Sequence, residues 1–507
     1  MCFRVFMSVY GCRSAVSFFG ITALLSVVPL FGAASDARLA DAAKKMDRAG
    51  VRALLRQRVD VNAPQIDGTT ALHWAADRDD LETAELLVRA GANVKAANRY
   101  GVTPLSLACT NGNGAIVELL LAAGADPNTV LPGGETALMT AARTGKIEAV
   151  KALLSRGAEV NAKESRHEQT AVMWAAAEGN VEAVEALIKA GADFRARSDS
   201  GFTALLFAVR EGRAGVVRAL LKAGADVNET IQPAGAPGRR AGAAPAIGTS
   251  ALVLAVTNAH YQLAATLLDA GADPNAAVAG LTALHVITNV RKPGGGDNNP
   301  APQGSGTMTS IELVKKLAAR GANLNTRMTK KVNLGLTSLN TLGATPFFLA
   351  AKTADAELMR TLAALGADPL LTNEDNSTPL MAAAGLGTRS PGEDAGTESE
   401  VLEAMQAALD LGADINAVDN NGETAMHGAA YKNLPAAVQF LAGKGAKIEI
   451  WNRKNKQGWT PLTIAEGYRF GNYKPSPPTV AALRRVMKAA GVSPAVESEP
   501  AAGARRN

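Results

Sequence analysis

Thr70-Ala71-Leu72-His73-Trp74-Ala75-Ala76 opens, and Gly91-Ala92-Asn93 closes, a stretch that the chain keeps repeating. The closing triplet returns as Gly124-Ala125-Asp126, Gly157-Ala158-Glu159, Gly191-Ala192-Asp193 and Gly224-Ala225-Asp226, at steps of 33, 33, 34 and 33. It continues at Gly271, Gly321, Gly366, Gly412 and Gly445. The opening motif keeps the same step through Thr103-Pro104-Leu105, Thr136-Ala137-Leu138, Thr170-Ala171-Val172 and Thr203-Ala204-Leu205. Further copies begin at Ser250, Thr282, Thr345, Thr378, Thr424 and Thr460. A period near 33 means one small supersecondary unit copied many times, each copy burying its apolar face against its neighbours.

Elementary chemistry gives each repeated residue a task. Threonine at the head of the motif can cap a helix by accepting a backbone N–H. Proline suits the next position, whose N–H has no intrahelical partner. Leu72, Ala75 and Ala76, then Ala84, Leu86 and Leu87, recur at helical spacing on two successive helices. Gly91 and its equivalents follow the last turn, where a left-handed residue ends a helix. A second glycine precedes most Thr motifs (Gly68, Gly101, Gly134, Gly201) and fits a turn requiring positive φ. Asn128, Asn161, Asn228, Asn275, Asn325 and Asn416 each stand four residues after a triplet glycine, with Asn62 in the matching place of the first unit. Their side chains are expected to satisfy turn backbone.

These two linked motifs resemble the ankyrin repeat, a hairpin-like turn followed by two antiparallel helices. The resemblance spans about Asp36 to Gly491. It implies an all-α solenoid of about twelve helix-turn-helix units, counting an N-terminal cap at Asp36 to Asn62 and a C-terminal cap from Gly458. Arg58 stands in the N-terminal cap where later units carry glycine.

Residues 1–35 read as a signal peptide, with Arg4 and Arg13 in a basic region, an apolar run from Ala15 to Phe31, and cleavage near Ala34 or Ser35. An uncleaved membrane anchor is the alternative. The expected location is therefore outside the cytoplasm, periplasmic or secreted, with a bacterial periplasm favoured. Removing Arg4 and Arg13 from the formal charge of +5 leaves +3, too little for a nucleic-acid partner. Of three cysteines only Cys109 lies beyond this segment, at a helix position expected to be buried and inert.

The repeats occupy 36–228 and 248–491, separated by an insertion at 229–247, and residues 492–507 form a tail expected to be disordered. Three more insertions interrupt the second block. Residues 291–309 and 386–399 split helix pairs, and 328–341 extend a hairpin. They are either tolerated loop growth or fingers forming a partner surface along one edge.

No constellation for chemistry stands apart from the repeat. His73, His285 and His427 occupy the fourth place of the Thr motif, and His260 opens a second helix; both are positions where the family commonly carries histidine for structure. Only His167 falls at a hairpin tip. The sequence therefore predicts no catalytic residue, metal or cofactor. Trp74 and Trp174, at equivalent places, are expected to pack between helices.

The resemblance implies a monomeric, non-catalytic scaffold for an unidentified protein partner, bound at hairpin tips and first-helix ends. The candidate contact residues are Arg99, Tyr100, Arg143, Arg166, His167, Phe202, Arg210, Lys352, Tyr431 and Lys432. Tyr and Arg are favoured at interface hot spots. The mildly basic N-terminal half suits an acidic protein segment. A secreted effector engaging a host protein, or a membrane-tethered structural protein, are the other readings.

Overall fold

A computed structural model describes residues 36–232, 247–278, 280–294, 302–332, 337–469, 471 and 474–492. The expected signal segment 1–35, most of the insertion at 229–247, Gly295-Gly296 and the tail after Val492 lie outside the described residues. Among the described residues the chain forms 25 α-helices and four isolated β-bridges, with no strand. No helix among them is long and apolar enough to cross a membrane.

The helices come in antiparallel pairs such as Ala71–Asp77 with Leu81–Arg89, Pro104–Asn111 with Gly114–Ala122, and Ala137–Thr144 with Ile147–Ser155. First helices pack on first helices of the units before and after, and second on second. The first-helix layer is made close by alanine: Ala75, Ala76, Ala108, Ala141, Ala142, Ala175, Ala176 and Ala208 have no exposed surface. Leu87, Leu120, Leu153, Leu187 and Leu220, one per second helix, are likewise fully buried. Each such leucine stabilises the stack by about 2 kcal/mol.

The capping chemistry follows the sequence. Thr136 Oγ1 accepts the Met139 N–H at 3.2 Å, and Thr103 the Ser106 N–H at 3.2 Å ahead of Pro104. Where the fourth residue is histidine its ring takes the N–H of the cap residue. His73 Nδ1 accepts the Thr70 N–H at 3.2 Å, which leaves the ring proton on Nε2 to be donated to the Val102 carbonyl of the next hairpin, 3.0 Å away. His285 does the same between Thr282 and Ala344. His427 caps Thr424 at 3.2 Å, with its Nε2 buried.

The asparagines reach further than their own turn. Asn161 Oδ1 accepts the N–H of Asp193 at 2.7 Å while its Nδ2 donates to the Gly191 carbonyl at 3.1 Å, both in the following unit. Asn62, Asn128, Asn228 and Asn275 repeat that pair of bonds on Asn93, Glu159, Asp273 and Asn323 and their glycines. The turn between the two helices of a unit also demands a left-handed residue. Glycine supplies it at 112, 145, 179 and 212, but Met46, Asp79, Ala259, Ala354 and Asn433 hold it elsewhere. Arg58, in place of the triplet glycine, sits at φ +56°.

The described parts of the three later insertions fold back on the array. Ser305 donates its N–H to His260 Nδ1 at 3.0 Å, and His260 Nε2 lies 3.0 Å from the Arg210 carbonyl. Ser338 donates its N–H to the Gly387 carbonyl at 2.8 Å, so the third insertion meets the fourth. A side chain on Gly294 would meet the Glu393 carbonyl, and one on Gly471 would meet Arg389. The stretch 386–399 thus touches units on both sides of its own, including ones that are not its neighbours.

Candidate partner-binding surface

Hairpin tips stand in a row because each is bonded to the next. Arg99 donates its N–H to the Asp67 carbonyl at 2.9 Å, and Asp199 to the His167 carbonyl at 3.0 Å. Arg99 and Tyr100 project from one tip, Tyr100 more than half exposed with the Arg99 guanidinium 5.4 Å from its ring centre. Arg166 and His167 are exposed on another. That tip is shaped by buried Glu164, whose carboxylate accepts the N–H groups of Arg166, His167 and Gln169 at 2.6, 2.7 and 3.1 Å. His167 Nδ1 lies 3.4 Å from Asp199 Oδ2.

The ends of the first helices supply the second row. Arg143 is exposed, and its guanidinium lies 5.2 Å from the ring centre of Trp174 in the following unit. Lys44 stands 4.7 Å over Trp74, again from the preceding unit, and Arg78 lies 5.6 Å from the same ring. Trp74 donates its indole N–H to Gln65 at 2.9 Å. Both tryptophans are half-buried, so they join packing and surface; their pairing with cations of the neighbouring unit was not evident from spacing alone. Arg210 is partly exposed beside Glu211, with Nε 2.8 Å from its carboxylate. Each cation–aromatic contact of this kind contributes about 0.5–1 kcal/mol.

Four of the expected contact residues are buried in this structure. Phe202 precedes the capping Thr203 and packs on Phe207 at 5.2 Å, a hydrophobic staple that leaves 4% of it exposed. Tyr431 donates its hydroxyl to Glu423 at 2.8 Å, where Asn455 also donates at 2.8 Å, closing a buried network under the last units. Burial raises the carboxyl of Glu423 above its ordinary range. Lys352 and Lys432 are covered by the insertion 386–399. Lys352 Nζ lies 3.2 Å from Asp394 Oδ1 with both side chains 6% exposed, and Lys432 donates to the Ala395 carbonyl. Lys292 adds a bond to Glu400 at 2.7 Å, which, together with the Thr397 backbone, holds that carboxyl at about 2. A cavity of about 400 Å³ opens beside this cluster, bounded by Pro293, Gly392, Glu398 and Leu434.

Burial also shifts several titratable groups elsewhere in the array. Burial lowers the imidazoles of His285 and His427 to about 4, and lowers that of His73. Burial pushes the Cys109 thiol up to about 12, which makes it a packing residue rather than a nucleophile. Glu229, bonded by the Thr203 hydroxyl, is raised to about 6 by burial.

Comparison with known families agrees with this geometry. A family model described as ankyrin repeats in three copies matches residues 39–131, 138–231 and 396–474. A second model, ankyrin repeats in many copies, matches residues 115–154. No curated protein matches the chain.

Proposed function

The chain belongs to the ankyrin repeat family, and from that membership we propose that it is a non-catalytic protein-interaction scaffold of twelve units, working outside the cytoplasm as a monomer. The observation that carries the reading is the exposed row of cations and aromatics on the N-terminal half: Arg99 with Tyr100 at a hairpin tip, Arg143 with Trp174 at the first-helix ends. Anchors of this kind, set on a rigid stack, are what protein interfaces use. Export rests on residues 1–35, whose basic start, apolar run and small residues before Asp36 fit a cleaved signal.

The test is crosslinking of the C-terminally tagged full-length chain in its native envelope, with captured proteins identified by mass spectrometry. One saturable protein partner, lost on Arg99→Glu/Arg143→Glu, is the expected result. A folded chain that crosslinks to no protein overturns the scaffold reading. The same spectra give the mass of the processed chain; an intact N-terminus overturns cleavage and favours a membrane tether.

A further inference from the structure

The first helices carry cations in, or just past, their last turn. Arg143, Arg210 and Lys352 stand seven residues after their capping threonines Thr136, Thr203 and Thr345; Arg78 and Lys432 stand eight after theirs. In the C-terminal half these cations are already occupied. The acidic stretch Glu393-Asp394-Ala395 crosses from Lys352 to Lys432, which belong to units two steps apart. Asp394 gives a carboxylate oxygen to Lys352, its other oxygen accepts the Thr388 hydroxyl at 2.8 Å, and the next carbonyl, of Ala395, takes the ammonium of Lys432. Burial works to raise Asp394, and the two ammonium groups outweigh it, leaving the carboxyl below its ordinary range.

The N-terminal half repeats the cations without that cover. Arg143 and Arg210 are separated by the same two-unit step, Arg143 exposed and Arg210 partly exposed with its Nε on the Glu211 carboxylate, and have Trp174 on the first helix between them. We propose that the Arg143–Trp174–Arg210 surface binds an extended acidic segment of a partner protein in the way the chain holds its own residues 393–395: a carboxylate on one cation, a main-chain carbonyl on the cation two units away. This rests on the scaffold reading and adds the chemistry of the ligand. Glu178 and Glu211 border the surface, so a polyacidic tract is repelled and one or two carboxylates followed by a small residue fit best.

The test uses a fluorescent peptide with the sequence of residues 389–397, titrated with the full chain and followed by anisotropy. Saturable binding is expected, weakened about tenfold by Asp394→Asn in the peptide and by at least as much by Arg143→Glu/Arg210→Glu in the chain. Added salt should weaken it further. Absence of saturable binding overturns the proposal. So does binding that survives Arg143→Glu/Arg210→Glu, because the peptide has then exchanged with the chain's own segment at Lys352 and Lys432. Arg143→Gln/Arg210→Gln, with an unchanged melting curve, guards against loss of fold. A chain that crosslinks to a partner but ignores the peptide keeps the scaffold and loses this ligand. A chain that binds the peptide but captures no protein has the converse failure.

Discussion

At Nδ1 of His73, His285 and His427 the ring accepts a backbone N–H, so a second proton there would set donor against donor. Burial adds to this and brings His285 and His427 to about 4, against 6.5 in an unfolded chain. Above pH 6.5 both states are neutral and the caps contribute fully. Between 6.5 and about 4 the unfolded chain takes up protons that the fold refuses, so stability falls by about 1.4 kcal/mol per pH unit per histidine. Glu229, raised to about 6, runs the other way between 6 and its ordinary 4.5, and burial raises Glu423 and Asp419 in the same sense, so the histidine contribution is read as the difference between the native chain and a variant lacking it. Denaturant unfolding at stepped pH should show this decline, and His285→Gln/His427→Gln should flatten it, since glutamine keeps the cap without titrating. An unchanged slope in the double variant would count against the assignment. Backbone strain is a second residue-scale effect. Arg58→Gly should stabilise the first unit by up to about 1 kcal/mol, and Gly91→Ala should cost about as much, because a Cβ at 91 meets nothing within 4 Å and only its φ of +87° resists. Melting temperatures moving in opposite directions would bear this out.

Among the elements, the insertion 386–399 matters most for stability. Asp394→Ala strands the ammonium groups of Lys352 and Lys432 in a buried site and should cost about 3–5 kcal/mol in denaturant unfolding. Glu403→Ala, which breaks the exposed pair with Arg360, should cost less than about 1 kcal/mol. Equal effects would refute the distinction. The helix pairs themselves were legible in the sequence, because threonine caps and triplet glycines mark both ends of each unit within a few residues. Phe202 was also within reach: an apolar residue just before the cap, with another five residues later, is a staple rather than a contact. The burial of Lys352 and Lys432 was not, since their partners lie 42 and 37 residues away in a stretch without periodicity. The asparagines were half legible. Their role in turns follows from residue type, but their direction, into the next unit, follows only from the stack.

Across the whole molecule the two halves are held differently. From 36 to 232 the Asn bridges, the hairpin-tip bonds and the cation–Trp contacts link a unit to the one beside it. In the C-terminal half Lys292 reaches Glu400 across 108 residues, and the third and fourth insertions bond to each other. Stability summed over neighbours therefore describes the first half and understates the second. Leu205→Asp, which places a charge at a fully packed site, should split denaturant unfolding into two transitions, with amides of 36–232 exchanging with solvent before those of 337–469. A single sharp transition would show that the halves unfold together. The stitching by 386–399 also sets how the molecule would answer to force. Pulled from its ends, it should lengthen first by single units of the N-terminal half at low tension, then yield in one large rip when the clasped block gives way, so that a ligand on the N-terminal half would be shed under load long before the C-terminal half deforms.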